Sequence, residues 1–416
     1  MVDDRGHLTI GGCDLLELAR TFGTPTYVID EDDIRSRART YVQAFARLGQ
    51  DAEVAFASKS LPVSAVLRWL AEEGLSCEAT TGGELALALG SGFDAARMLF
   101  HGNARTDQEL KMALDAGVGR VVIDSFDDID RLERLAQRPQ RVLLRVQSGV
   151  RPKTHASQST GHFGSKFGLG PERAHEAIVR LGASDVLELE GLHSHIGSQI
   201  LDLDSFRDAV KRLGDFGDFP VYDLGGGLGV TYRDKQDAPT IDAYVEALVD
   251  AVRTHLGMDK HILVEPGRSL VASGCVTIYS VVTVKRDQVT HVAVDGGTSD
   301  NLEAVLGIVT FEAAIADRLA QDEGCVVVGK HCDSGDVIVP SARLANPRIG
   351  DVLVVPATGA YGHGMANNYN CVPRPPVVVC RDGEARLAVR RETLGDLFQR
   401  DLELGRGVGT VIDDAY

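Results

Sequence analysis

The chain has 416 residues, 44% hydrophobic and 25% charged, a balance that excludes a disordered chain. At this length a large domain with a smaller companion is expected. Its 43 basic against 60 acidic side chains leave a net charge of −17. That charge excludes general binding to nucleic acid or anionic lipid, yet leaves room for a local basic pocket. No apolar run reaches the roughly 18 residues of a membrane span. The start, Met1-Val2-Asp3-Asp4-Arg5, lacks the basic-then-apolar order of a signal peptide. Seven scattered cysteines without a CxxC pair lead us to expect no metal site, no disulfide framework and a reducing, cytoplasmic location.

Short apolar segments alternate with amphipathic ones through the first two-thirds. Strands are expected at 53–57, 75–78, 97–100, 120–124, 141–146, 187–195, 220–224 and 261–265. Apolar residues at three- and four-residue spacing mark helices at 63–73, 107–116, 126–136, 171–181 and 241–256. Ser125, Asp204 and Asp242 stand where N-caps belong. Pro171 suits a first turn, where its missing N–H would be unpaired anyway. Eight strands, each followed by a helix or loop, is the count of a (β/α)8 barrel. An open doubly wound sheet shows the same alternation and is the competing reading.

After residue 273 the texture changes. Short β-type runs at 276–284, 291–294, 325–329, 336–339, 351–356, 377–380 and 385–389 follow closely, with one helical pattern at 311–319. They read as an antiparallel β-domain, to which 8–10 and 26–29 are expected to add strands. The expected division is a barrel over 31–273 and a β-domain built from 1–30 and 274–416.

Catalytic groups of such barrels lie where strands end and loops begin. Six of the eight expected ends carry ionisable or glycine-rich groups: Lys59, Glu78, Arg145, His195, the run Gly225-Gly226-Gly227, and Glu265 with Gly267 and Arg268. Lys59 at a barrel mouth is a nucleophile or Schiff-base former if its pKa is depressed, and otherwise a solvated loop lysine. The glycine run lets backbone N–H groups approach an anion closely, but it lacks the Walker and GxGxxG patterns, and tight-turn glycines explain it equally. His195 reads alone as a hydrogen-bonded core histidine. Glu265, in low dielectric, needs a cation or a protonated ring nitrogen, and a salt bridge to Arg268 would serve.

Taken together and in order, these residues resemble the diaminopimelate and ornithine decarboxylase family, the alanine racemase-like fold-type-III enzymes that use pyridoxal 5′-phosphate (PLP). The resemblance runs through Ala57-Ser58-Lys59, Cys77-Glu78-Ala79, Ser165-Lys166-Phe167-Gly168-Leu169 and Gly191-Leu192-His193-Ser194-His195-Ile196-Gly197-Ser198. It continues through Gly225-Gly226-Gly227, Glu265-Pro266-Gly267-Arg268, Cys332-Asp333-Ser334-Gly335-Asp336 and Gly359-Ala360-Tyr361-Gly362. Met365-Ala366-Asn367-Asn368-Tyr369-Asn370 with Arg374-Pro375 is similar to the diaminopimelate branch.

The resemblance implies an amino-acid substrate, and that Lys59 binds PLP covalently and handles a proton at the α-carbon. His195 would stack on the pyridine face, and Glu265 would keep the ring nitrogen protonated, which favours decarboxylation over racemisation. Ser198, Gly225, Gly226, Gly227, Gly267, Arg268 and Tyr361 would surround the phosphate, with Arg268 also facing substrate. Glu78 and Arg145 would touch the ring hydroxyl or support residues that do. Cys332 and Asp333 would reach across a homodimer interface into the partner's site.

One segment departs from the branch. Where those enzymes continue Met-Ser-Asp-Asn-Pro-Arg-Pro and then a tyrosine, this chain has Thr298-Ser299-Asp300-Asn301-Leu302-Glu303-Ala304 and Gly307. The family arginine and tyrosine help hold the substrate's distal carboxylate. An anion in place of a bidentate cation is unfavourable there by roughly several kcal/mol. Altered distal specificity, with Glu303 facing a neutral or cationic end, is therefore expected. The alternatives are a true meso-diaminopimelate decarboxylase of lysine biosynthesis in which Arg268 or Arg374 takes over, a catalytically silent PLP-binding homologue, and a barrel enzyme using Lys59 without PLP.

Overall fold

The computed structural model describes residues 1–234 and 236–403, so the stretch 404–416, assigned above to the β-domain, lies outside the described residues. The chain divides into two compact units, one holding 34–231 and 237–270, the other 1–33, 232–236 and the residues from 271 onward.

The first unit is a closed barrel of eight parallel strands: Ala52–Ala57, Ser76–Ala79, Met98–Phe100, Arg120–Ile123, Gln140–Arg145, Leu187–His193, Val221–Asp223 and His261–Val264. Closure is made by the eighth strand on the first, with Ile262 opposite Ala52 and Val264 opposite Val54. This excludes the open doubly wound sheet. All eight strands coincide with expected segments to within one or two residues, because each is a short apolar run bounded by polar turns. Ala55, Leu99, Val122, Leu143, Val221 and Leu263 pack together inside as one cluster, the layered filling that makes such a barrel a core and not a pore.

Helices follow the strands as the periodicity requires. Ser125 caps Phe126–Leu135 by accepting from the Asp128 N–H, and Pro171 opens Pro171–Gly182. Two of the expected caps are corrected: Thr240 caps Ile241–His255, and Asp204 is itself the first residue of Asp204–Leu213. A helix of 17 residues, Glu31–Arg47, was not anticipated.

Two charged clusters carry testable stability. Asp128 takes Arg105 Nη2 at 2.8 Å on one oxygen and Arg131 Nη2 at 2.7 Å on the other, and it also accepts the Asp124 N–H at 3.0 Å. The Arg105 and Asp128 side chains are 1% and 2% exposed. Removing one member of a buried pair strands the other, so Asp128→Ala should cost about 3–5 kcal/mol in urea unfolding.

Near the opposite, N-terminal ends of the strands, Glu53 meets Ser76, Arg120 at 3.3 Å, Arg97 at 3.5 Å and His261 at 3.8 Å. Burial pushes the Glu53 carboxyl up, but these partners outweigh it and hold the pKa at about 2. A depressed acid contributes stability above its unfolded value near 4.5, and loses it as pH falls toward 2. Up to roughly 3 kcal/mol should disappear across that window in wild type. Glu53→Gln should flatten this part of the urea-midpoint profile. His261, raised by Glu53, acts oppositely: its contribution is complete below its unfolded value near 6.5 and fades as pH rises through its folded one.

The second unit is a large sheet in the order Val337–Leu344, Glu323–Val328, Thr290–Val294, Cys275–Arg286, Thr26–Asp30, Val377–Arg381 and Glu384–Val389. The short strand Ala314–Ile315 pairs with Val352–Pro356, which pairs in turn with Cys275–Arg286. Pairing is mostly antiparallel, but Thr290–Val294 with Glu323–Val328, and Thr26–Asp30 with Val377–Arg381, run parallel, so the sheet is mixed. The helix expected at 311–319 is absent: Ala314 and Ile315 lie extended against Val354 and Leu353, strand pairing having overridden a weak helical preference. Val28, Ile278, Val354, Val378 and Cys380 form the core of this unit with Leu15 and Leu18. Among the described residues no helix is long and apolar enough to cross a membrane.

Candidate active site

The first barrel strand ends in one 3-10 turn, Ser58–Ser60, which carries Lys59. Lys59 Nζ lies 3.0 and 3.2 Å from the two oxygens of Glu78, which is completely buried on the second strand. A carboxylate so placed needs a cation, and the pair fixes the amine at the mouth of the barrel.

His195 stands two residues past the sixth strand. Its Nδ1 accepts the Gly226 N–H at 3.1 Å, which leaves the ring proton on Nε2. Burial, reinforced by Arg145 and Lys59, pushes its pKa well below the ordinary imidazole value, so the ring is neutral. The glycine run after the seventh strand is sterically required. A Cβ on Gly225 would lie 2.9 Å from His195, one on Gly226 2.1 Å from the Glu265 carbonyl oxygen, and one on Gly227 2.4 Å from the Gly197 oxygen. Gly225 and Gly227 also have φ of +65° and +115°. Arg268, buried, donates from Nε to Ser198 Oγ at 3.3 Å, and a Cβ on Gly267 would press Ser60 at 3.0 Å. Arg145 stacks over Phe167 at 4.4 Å and lies 3.9 Å from Asp124.

Glu265 follows the eighth strand and is buried. Its two oxygens meet His101 Nε2 at 2.9 Å and His193 Nε2 at 3.3 Å, and the two imidazoles pack edge to face at 4.7 Å. Salt bridging to Arg268 is therefore not what satisfies it. Burial pushes the Glu265 carboxyl up, but the two histidines outweigh this and hold it well below the carboxylate range. Asp223, fully buried at the end of the seventh strand, is pushed well above that range by burial and by the charge of Glu265. Of these two neighbouring carboxyls, Asp223 carries the proton and Glu265 the charge. The ligand atoms of His101, His193 and Glu265 lie within 4.8 Å of one another, so the trio has metal-binding potential as well as hydrogen-bonding geometry.

Lys59, Arg145, His195 and Glu265 line one cavity of about 450 Å³ together with His101 and Phe167. Of the sequence-indicated residues, the cavity gathers Lys59, Arg145, His195 and Glu265, with Glu78 joined through Lys59; it adds His101, and through Glu265 also His193 and Asp223, which sequence reasoning missed. The signal for His101 was available: it directly follows the third strand, the kind of position from which the other site residues were read.

The remaining expected site residues belong to the β unit. Cys332 and Asp333 lie on an exposed turn, where the Cys332 N–H donates to Asn370 Oδ1 at 3.0 Å and Asp333 Oδ1 accepts the Gly335 N–H at 2.8 Å. Tyr361 is half-buried with φ of +62°. Glu303 is buried in the short helix Leu302–Val305, and Gly307, at φ of +66°, is exposed with open space where a side chain would project. Arg374 Nε donates to Glu392 Oε1 at 2.7 Å.

Residues 31–272 match the family described as pyridoxal-dependent decarboxylase, pyridoxal binding domain. The diaminopimelate decarboxylase of Actinosynnema pretiosum subsp. auranticum is 43% identical over 96% of this chain and 93% of its own length. That of Bacillus subtilis (strain 168) is 41% identical over 98% of each. Among solved structures, diaminopimelate decarboxylase from M. jannaschii, in complex with L-lysine, superposes with a TM-score of 0.91 at 31% identity, covering 97% of both chains. The chain belongs to the pyridoxal-dependent decarboxylase family.

Proposed function

We infer that this chain is a PLP-dependent amino-acid decarboxylase of the diaminopimelate decarboxylase type. The observation that carries the reading is the meeting of Lys59, His195 and Glu265, from the ends of three strands, on one cavity of about 450 Å³. The donor set fits PLP: an amine for its aldehyde, a flat neutral ring for its face, a buried anion for its nitrogen, and a bare glycine backbone with Arg268 for its phosphate.

When bound, the cofactor supplies an electron sink for the pair released with CO2. Lys59 binds it covalently and moves a proton at the substrate α-carbon, with Glu78 holding the amine in place. His195 orients the ring from one face, its tautomer set by Gly226. Glu265 keeps the ring nitrogen protonated. Gly225, Gly226, Gly227, Gly267, Ser198 and Arg268 would bind the phosphate. Arg145 supports the ring hydroxyl. Cys332 and Asp333, on their exposed turn, reach into the partner's site of a homodimer, which makes an isolated protomer inactive. A cytoplasmic location accords with seven cysteines that are all free thiols.

At the distal end of the substrate, Glu303 and Gly307 replace the arginine and tyrosine of the branch, and we assign altered specificity to them. A neutral or cationic distal group suits an anion there better than a carboxylate does. The second reading, a true meso-diaminopimelate decarboxylase, draws on the 43% and 41% identity to full-length proteins of that name. The test is a screen of PLP-loaded protein against L-, D- and meso-diamino acids, reading CO2 and product mass. CO2 from a substrate without a distal carboxylate supports altered specificity, and ordinary turnover of meso-diaminopimelate overturns it. A cofactor spectrum that shifts with amino acid but yields no CO2 from any substrate would identify a silent homologue.

A further inference from the structure

We propose that His101 and His193 are positioning residues for Glu265: each donates its Nε2–H to one carboxylate oxygen, holding the group as an anion with an acceptor direction left for the protonated ring nitrogen of the cofactor. The inference rests on the PLP reading and goes beyond it to the residues behind the carboxylate.

The geometry constrains the protons. His193 Nε2 lies 3.3 Å from Glu265 Oε2, while its Nδ1 is buried without a partner. The Nδ1–H tautomer would bury an N–H with no acceptor and set a lone pair against an anion. Placing the proton on Nε2 removes both penalties. His101 Nε2 lies 2.9 Å from Glu265 Oε1 and 3.9 Å from Glu78 Oε1, so it faces two carboxylates and must carry hydrogen. Burial keeps both imidazoles neutral by lowering their pKa values.

A carboxylate offers about four lone-pair sites. Two are used by histidine N–H groups, and Asp223, whose Oδ2 is buried without a partner, is the neighbouring carboxyl that takes up a proton. Hydrogen bonds to the anionic form lower its proton affinity. The proton shared between Glu265 and the ring nitrogen therefore stays on nitrogen, which the electron sink requires. The same side chains continue toward the amine through Glu78, which holds Lys59 Nζ at 3.0 Å.

The test is ¹⁵N NMR of protein loaded with PLP labelled at the ring nitrogen, on wild type, His101→Leu, His193→Leu and their Gln counterparts. Both Leu variants should move the resonance from the protonated toward the unprotonated range, and lower kcat by about 10- to 100-fold, the usual size when the outer partner of a functional group is removed. KM should change little. His101→Gln keeps an N–H donor and should recover most of the loss, which a purely structural role would not produce. A protonated-range resonance in folded His101→Leu and His193→Leu overturns the inference. If the Leu variants do not fold, His101→Asn and His193→Asn, whose shorter amides do not reach the carboxylate, replace them: ring nitrogen that titrates at lower pH than in wild type upholds the inference, and nitrogen that titrates as in wild type overturns it. Wild type that neither binds PLP nor releases CO2 would defeat the parent reading instead.

Discussion

Replacing Lys59 by alanine is expected to lower kcat by about 10³-fold or more and to abolish the absorbance of covalently held cofactor. A positioned proton-transfer group is worth about 10²–10⁴-fold by itself, and in its proposed role Lys59 would also anchor the cofactor. The same change leaves Glu78, completely buried, without its cation at 3.0 Å. Unfolding should therefore shift as well, by about 1–3 kcal/mol. Lys59→Arg separates the two effects. It restores a cation beside Glu78 and so the stability, yet cannot form the covalent link, and activity should remain lost. Steady-state CO2 release and urea midpoints on the three proteins check both parts. A Lys59→Ala enzyme within tenfold of wild type would remove Lys59 from the chemistry.

The next largest effect is expected at Glu265. Glu265→Gln should lower kcat by about 10²–10³-fold, the usual cost of deleting one preorganised electrostatic partner. The substitution is not isosteric in its hydrogen bonds. An amide must turn its NH2 toward either His101 or His193, both of which present Nε2 at 2.9 and 3.3 Å, so a donor opposes a donor. With the charge gone, the repulsion that raises Asp223 is relieved, and that carboxyl should ionise more readily. Measured kcat and KM for Gln and Asp variants report this directly. An unchanged kcat in Glu265→Gln would mean that no charge is needed opposite the ring nitrogen.

The barrel was legible because its information is local. Each strand is a short apolar run, and closure is the arrangement that brings Ile262 beside Ala52. What was illegible depends on partners far along the chain. Phe311, Ala314, Ile315 and Leu319 have helical spacing, yet the backbone there pairs with a strand some forty residues on. The helix Glu31–Arg47 was missed for the opposite reason: its buried Ile34, Ala38, Tyr41 and Phe45 are diluted by charge over 17 residues, so its apolar stripe is narrow.

The site shows the same division. Lys59, His195 and Glu265 could be read from strand ends, since a barrel places such ends around one mouth. His101 and His193 could not be assigned a partner, because 164 and 72 residues separate them from Glu265. His193 also sits at the end of an otherwise apolar strand, where a histidine bonded to nothing catalytic is the ordinary finding. Asp223 was invisible for another reason: its protonation follows from its burial in the folded barrel and from its nearness to Glu265, neither of which the segment that carries it reveals.

The proposed chemistry depends above all on Lys59 carrying the cofactor. Borohydride reduction of PLP-loaded protein, followed by proteolysis and mass spectrometry, tests it most directly. A pyridoxyl adduct is expected on the peptide containing Lys59 and on no other. An adduct on a different lysine, or none in protein that has taken up PLP, would contradict it.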